Sequence, residues 1–242
     1  MSFKKAALIT GASRGIGKAI AYELARNGYD LYLTCKNNLD LLKTLKIELE
    51  NMSGVIQCHI FQCDMSNIND VERLFESIPT IDVIVNNAGI SYVGLLTDMS
   101  EGDWHHVMST NLDSLFYTSK FGVPKMLTKH SGKIINISSV WGNVGASMEV
   151  AYSASKGAVN TFTKALAKEL APSNIQVNAI SCGVIDTAMN ACLSPEDVET
   201  LTAEIPADRL GRAEEVAQLV LQTAQAPTYM TGQIITIDGG WY

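Results

Sequence analysis

The sequence of 242 residues is short of several features, and each shortage closes off a class of function. No apolar run approaches the ~20 residues that cross a bilayer, and the opening "MSFKKAALIT" meets a glycine loop too soon for a secretory signal. Five cysteines (Cys35, Cys58, Cys63, Cys182 and Cys192) make an odd number, with no Cys-x-x-Cys among them. That usage argues against a disulfide framework and for a reducing cytoplasm. His59, His105, His106 and His130 show no ligand spacing, so no metal site is expected. Basic residues are outnumbered, 18 against 25 acidic, for a formal net charge of -7. That sign disfavours nucleic acid, anionic membranes and strongly acidic protein partners. Repeats, linkers and low-complexity tracts are absent too, leaving one soluble, cytoplasmic domain as the expectation.

What is present is an alternation of short apolar runs with amphipathic stretches. The composition, 47% hydrophobic and 18% charged, can fill a large core. "AALIT" reads as a buried strand, followed by glycine-rich "GASRGIG" and a helix from about Lys18 to Asn27 that Gly28 ends. Further strands are expected at "DLYLTC", "VIQCHIFQC", "IDVIVNNAG", "GKIINISS", "IQVNAIS" and "GQIITIDGG". Helices are expected at "LDLLKTLKIELENM", at "NINDVERLFESI" with Ser66 as its cap, and from Glu101 to Leu127. Two more follow, at Tyr152–Leu170 and "AEEVAQLVLQTAQ". Apolar strands joined by helices give an α/β fold: a doubly wound parallel sheet with helices on both faces and a crevice at the strands' carboxyl ends. Asp186–Leu210 breaks the alternation and is expected to cover that crevice as a lid.

Several motifs fall on the crevice edge. In "TGASRGIG", Gly11 permits a tight turn, while Gly15 and Gly17 let a helix start approach a pyrophosphate. The spacing is G-x-x-x-G-x-G, not the G-x-G-x-x-G of the usual dinucleotide fingerprint. After the second strand an acidic residue would hold the ribose of NAD; here Cys35 and Lys36 stand there, and Arg14 can reach the same region. Two cations and no carboxylate favour NADP. Asp64 ends the third strand, placed to accept from an adenine amino group, and "NNAG" leaves room for a ribose beside Ala88 and Gly89. Tyr152 and Lys156, four apart, share one helix face. An ammonium beside a phenol lowers its pKa towards the range that acid–base catalysis needs, and Ser139 can polarise a carbonyl oxygen. Trp104, Trp141 and Trp241 are read as packing residues, with Trp141 also placed to line a substrate pocket.

Together, "TGASRGIG", "CD", "NNAG", Asn111 in "STNL", "ISSVWG", "YSASK" and "GQIITIDGG" resemble the short-chain dehydrogenase/reductase family over essentially the whole chain. The subgroup most similar is the bacterial 3-oxoacyl-carrier-protein reductases and related carbonyl reductases. The resemblance implies a single Rossmann-type domain and a catalytic tetrad of Asn111, Ser139, Tyr152 and Lys156. Tyr152 would protonate the carbonyl oxygen, Ser139 position it, Lys156 lower the phenol pKa and hold the nicotinamide ribose, and Asn111 hold a water. The NADP(H) contacts implied are Gly11, Ser13, Arg14, Gly15, Ile16, Gly17, Lys36, Asp64, Met65, Asn87, Ala88, Gly89, Tyr152, Lys156, Ile185 and Thr187.

Two departures stand out. Cys182-Gly183 replaces the family's usual Pro-Gly, and the positions that would dock an acidic carrier protein hold His130, beside Lys129, and Ser173. A small-molecule carbonyl substrate is therefore expected ahead of a carrier-bound one. Reduction of a 3-oxoacyl thioester or similar compact ketone is the leading expectation. A dehydrogenase of a sugar, polyol or sterol-like alcohol and a non-catalytic nucleotide sensor are the rivals. On the helix after Tyr152, Val159, Phe162, Leu166 and Leu170 suit the sheet, while the small stripe Ala154, Ala158, Thr161 and Ala165 suits a symmetry mate in a homotetramer.

Overall fold

The computed structural model describes residues 4–53, 56–190 and 194–242. Seven parallel strands form one sheet: β1 (Ala6–Ile9), β2 (Asp30–Cys35), β3 (Cys58–Gln62), β4 (Val83–Asn86), β5 (Gly132–Ser139), β6 (Ile175–Cys182) and β7 (Ile234–Ile237). Their order is β3-β2-β1-β4-β5-β6-β7. The chain winds outward from β1 to β3, returns to place β4 beside β1, and then winds the other way. A crevice therefore opens between the carboxyl ends of β1 and β4.

Strand alternation divides the core into two. Ala7, Ile9, Leu31, Leu33, Val83 and Val85 face α1 (Gly15–Arg26), α2 (Leu39–Ser53) and, later in the chain, the helix Ala213–Gln225. Ala6, Leu8, Ile84, Ile134 and Val177 face α3 (Ile68–Glu76) and the helices Ser114–Leu127 and Val150–Leu170. Both faces are covered, as near-continuous apolar strands require. In chain order the remaining helices are α4 (Glu101–Met108), α5 (Ser114–Leu127), α6 (Trp141–Val144), α7 (Val150–Leu170), α8 (Pro195–Glu204) and α9 (Ala213–Gln225).

Several boundaries differ from expectation for identifiable reasons. The first helix starts at Gly15 rather than Lys18, because the glycine turn already makes its first turn. Ser66 does not cap α3: its N–H and hydroxyl both donate to Asp64, at 3.0 and 2.7 Å, and Asn67 caps instead by accepting from Asn69 N–H at 3.0 Å. The helix expected from Glu101 to Leu127 is interrupted by a π-turn, Ser109–Asp113. "VIQCHIFQC" and "IDVIVNNAG" pair over shorter spans than expected, and Val55 lies outside the described residues. On α7 the sheet-facing side includes polar Asn160 and Thr163 alongside Val159 and Leu170, while Phe162 and Leu166 are only partly buried.

The region 186–210 holds a short helical turn at Ala188–Asn190 and α8, with residues 191–193 outside the described set. Its two ends are tied together: Asp186 N–H donates to the Gly211 carbonyl at 2.8 Å, and Gly211 N–H donates to Val184 at 2.9 Å. Among the described residues, no helix is long and apolar enough to cross a membrane, and no group of metal-binding side chains occurs. Cys35, Cys58, Cys63 and Cys182 are buried free thiols; Cys192 lies outside the described residues.

Candidate active site

The glycine turn joins β1 to α1 at the crevice. Gly11 has φ +66°, and a Cβ on Gly17 would sit 2.4 Å from the Gly11 carbonyl oxygen, so the turn folds tightly onto its own helix. Arg14, at the N-cap of α1, makes no side-chain capping bond. The first N–H groups of α1, around Ser13 to Gly17, thus lack a protein cap, which suits an anionic ligand. The turn is laced to the end of β4. Thr10 Oγ1 accepts from the N–H groups of Asn87 and Ala88 at 3.0 and 2.9 Å, and Asn87 Nδ2 donates to the carbonyls of Thr10 and Gly11 at 2.9 and 3.1 Å. The Asn87 amide therefore serves the scaffold. Thr10, not singled out in the sequence, is half of that lacing; its place directly before the first glycine is the signal that marks it.

At the end of β2, Cys35 is buried and burial raises its thiol pKa. Lys36 Nζ lies 2.8 Å from Asp64 Oδ2, while Asp64 Oδ1 holds Ser66. Burial pushes the Asp64 carboxyl up, but the bonds from Lys36 and Ser66 outweigh that and leave it below its ordinary value. Met65, also buried, accepts weakly from the Thr34 hydroxyl at 3.7 Å. Arg14 is exposed and has no ion-pair partner among the described residues. Thr187 approaches the glycine turn from across the crevice, since a Cβ on Gly15 would meet its side chain at 3.5 Å. Ile185 is buried at the foot of the 186–210 region.

The four residues expected to form a tetrad lie on the π-turn, at the end of β5 and on α7. Asn111 sits in the π-turn, whose extra residue turns its amide inward to clasp Ile90. Its Oδ1 accepts from Ile90 N–H at 2.8 Å, and its Nδ2 donates to the Ile90 carbonyl at 2.9 Å and to Ser155 Oγ at 3.0 Å. Both amide hydrogens are thus engaged, while Oδ1, accepting once, keeps a second lone pair. Lys156 Nζ donates to the Ile137 carbonyl at 2.9 Å and lies 5.6 Å from the centre of the Tyr152 ring. Burial lowers the Lys156 ammonium pKa to about 8, against a smaller opposing pull from Cys182. Burial also pushes the Tyr152 phenol well above its ordinary value; a hydrogen bond with Ser139 pulls it back, and Cys182 and Glu149 push it up further. In the chain by itself, then, burial outweighs the lowering by ammonium expected from the sequence.

Ser139 Oγ accepts from Trp141 N–H at 3.2 Å. The turn after Ser139 is welded to α7: a Cβ on Gly142 would sit 2.6 Å from the Lys156 carbonyl carbon. Beside it, Ser138 Oγ donates to Asn160 Oδ1 at 2.7 Å, Asn160 Nδ2 to Asn143 Oδ1 at 2.8 Å, and Asn143 Nδ2 to Ser181 Oγ at 3.1 Å. This chain of amides leaves no mark in the sequence, because polar residues on a helix face normally point to solvent. Trp141 packs on Trp241 and Tyr242, with ring centres 4.9 and 5.5 Å apart. His59 stacks on Tyr32, consistent with a packing role.

Comparison with known proteins bears on the same residues. A profile described as short chain dehydrogenase matches residues 5–197. The chain is 41% identical over 240 residues to an uncharacterized oxidoreductase, YmfI, of Bacillus subtilis, covering 98% of this chain and 99% of that protein. It is 41% identical over 241 residues to the 3-oxoacyl-[acyl-carrier-protein] reductase FabG of Thermotoga maritima, covering 98% and 97%. A solved actinorhodin polyketide ketoreductase with NADPH superposes with a TM-score of 0.92 at 32% identity, over 98% of this chain and 97% of that one. With a family match over residues 5–197 and two such relatives aligned over nearly the whole chain, the chain belongs to the short-chain dehydrogenase family of oxidoreductases.

Proposed function

We propose that this protein uses NADPH to reduce a ketone to a secondary alcohol, the substrate being a 3-oxoacyl thioester or a similarly compact carbonyl compound. The observation that carries the reading is the convergence of Ser139, Tyr152 and Lys156 beside a glycine turn whose helix has no side-chain cap. Gly11, Ser13, Gly15, Ile16 and Gly17 would hold the pyrophosphate side, Arg14 and Lys36 the 2′-phosphate, and Asp64 and Met65 the adenine. Asn87, Ala88, Gly89, Ile185 and Thr187 would line the nicotinamide side. The bound cofactor supplies the hydride.

Tyr152 stays protonated at neutral pH because burial disfavours its phenolate, so it holds a proton to give to the carbonyl oxygen. Ser139 accepts from Trp141 N–H, and its hydroxyl proton, directed at Tyr152 in the chain by itself, would turn to the same carbonyl oxygen when substrate binds. Lys156 places a buried cation near the Tyr152 ring, which favours the phenolate left after transfer. Asn111 fixes Ile90 and, through Ser155, which donates to the Tyr152 carbonyl at 2.7 Å, braces the start of α7.

A substrate free of an acidic carrier is supported by Lys129, which is paired with Asp82 at 2.5 Å and not free to dock a partner. The test is NADPH oxidation with an acetoacetyl thioester and with ethyl acetoacetate, wild type against Tyr152→Phe. Turnover should drop by about hundredfold or more in the variant, while NADPH binding, read by fluorescence, persists. A variant keeping over about a tenth of the activity removes Tyr152 from the acid role. NADPH binding without turnover in the wild type points to a sensor.

A further inference from the structure

Glu149 is a half-buried carboxylate that the proposed reaction does not use. It stands at the N-cap of α7, three residues before Tyr152, and its main-chain carbonyl accepts from Ser153 N–H at 2.8 Å. A carboxylate there ordinarily folds back to accept from the first N–H groups of its own helix. Glu149 makes no such bond. Its Oε2 instead accepts from Ser91 Oγ at 2.6 Å. Ser91 belongs to the segment that follows Gly89, where Asn111 clasps Ile90 and where Gly94 N–H donates to the Met148 carbonyl at 2.8 Å. Among the described residues, no cation pairs with Glu149 and no donor is bonded to Oε1. The nearby Val144, Met148 and Val150 side chains are apolar and exposed. An anionic oxygen is thus held, with bonding capacity to spare, about one helical turn from the phenol that serves as acid.

We propose that Glu149 is a specificity-determining residue: its carboxylate takes a neutral or cationic hydrogen-bond donor, such as an amide or ammonium, carried by the substrate near the reacting carbonyl, and repels substrates with a carboxylate there. This deepens the ketone-reductase reading and rests on it. The selected class is esters, thioesters and amides of 3-oxo acids, with amides favoured for their N–H, over the free acids.

The experiment compares acetoacetamide with acetoacetate, which share a ketone and differ in charge, as substrates with NADPH. Wild type should favour the amide in kcat/KM, and Glu149→Gln should shrink that preference roughly tenfold, as expected for removing one charge several ångströms from another in a partly solvated site. Ser91→Ala removes the hydrogen bond and leaves the charge, so it should keep the amide preference within about threefold of wild type, separating charge from loop structure. Equal selectivity in wild type and Glu149→Gln overturns the inference alone. A wild type that turns over neither compound overturns the functional reading, and this inference with it.

Discussion

Replacing Arg14 and Lys36 by alanine, one at a time, separates two cations that look equivalent in sequence. If both contact a 2′-phosphate, each charge-assisted bond contributes about 1.5–3 kcal/mol, or about 10- to 150-fold in affinity. The structure makes the two unequal. Arg14 is exposed and has no ion-pair partner among the described residues, so turning to a phosphate breaks nothing. Lys36 already pairs with Asp64 at 2.8 Å, with side chains 47% and 29% exposed. An ion pair that open contributes at most about 1 kcal/mol, so sharing or leaving it takes up to about fivefold from what Lys36 offers a phosphate. Arg14→Ala should therefore weaken NADPH binding by about tenfold or more, and Lys36→Ala by up to about fivefold less than that. Neither should alter NADH binding much, since NADH lacks the phosphate. The assay is a titration of each cofactor against wild type and the two variants by fluorescence, repeated as kcat/KM with one ketone. A larger loss from Lys36→Ala than from Arg14→Ala refutes the argument from the Asp64 pair. A wild type that prefers NADH refutes the cofactor assignment altogether.

Lys156→Met should abolish turnover and weaken cofactor binding, yet raise Tm in the cofactor-free protein at pH 7. Burial depresses the Lys156 pKa from 10.5 to about 8, so the unfolded chain binds more protons between those values, and the folded chain carries a penalty of about 3 kcal/mol below pH 8 that fades as pH rises to 10.5. The stabilisation by Lys156→Met should shrink over that window; a Tm difference independent of pH between 8 and 10.5 would contradict the burial argument. Gly142→Ala should cut kcat by about a hundredfold while leaving the KM for NADPH little changed, because its Cβ would sit 2.6 Å from the Lys156 carbonyl carbon and push the Ser139 turn off α7. Steady-state kinetics checks it, and a variant with wild-type kcat shows that the turn tolerates the shift. The small stripe on α7 leaves Ala154, Thr161 and Ala165 exposed, so light scattering at micromolar concentration should give a tetramer and Ala165→Glu a smaller species; a monomeric wild type rejects the assembly.

The strand–helix alternation was legible because strands buried on both faces read as short apolar runs, and β2, β5 and α9 fall on the residues that patterning marks. Caps and turns were less so, because several residues compete locally. Ser66 has the right side chain to cap α3, but Asp64 two residues earlier takes its hydroxyl, and Asn67 succeeds by default. The π-turn at Asn111 was invisible, since an extra residue in one helical turn hardly disturbs hydrophobic periodicity. At the candidate site, the nearness of Tyr152 and Lys156 on one face of α7 could be read from their spacing. The braces around the crevice could not: Thr10 under the glycine turn, and Gly142 and the Asn143–Asn160 amide pair against α7, act through contacts distant in sequence. Protonation was the hardest to foresee. Spacing alone suggested that an ammonium would dominate the phenol, whereas enclosure, which only the folded chain reveals, is the larger influence.

The tie between Asp186 and Gly211 has a consequence for how such a protein can change. Both ends of the excursion that contains α8 are pinned at one spot beside β6 and β7, like a loop of thread caught by a single stitch. Closing a longer or shorter loop on a fixed stitch costs little, since loop entropy grows only with the logarithm of length. Mutation can therefore lengthen, trim or rewrite that excursion while the sheet, the glycine turn and α7 stay in register. Change in that stretch is thereby confined to the stretch itself, and the sheet beneath it need not follow.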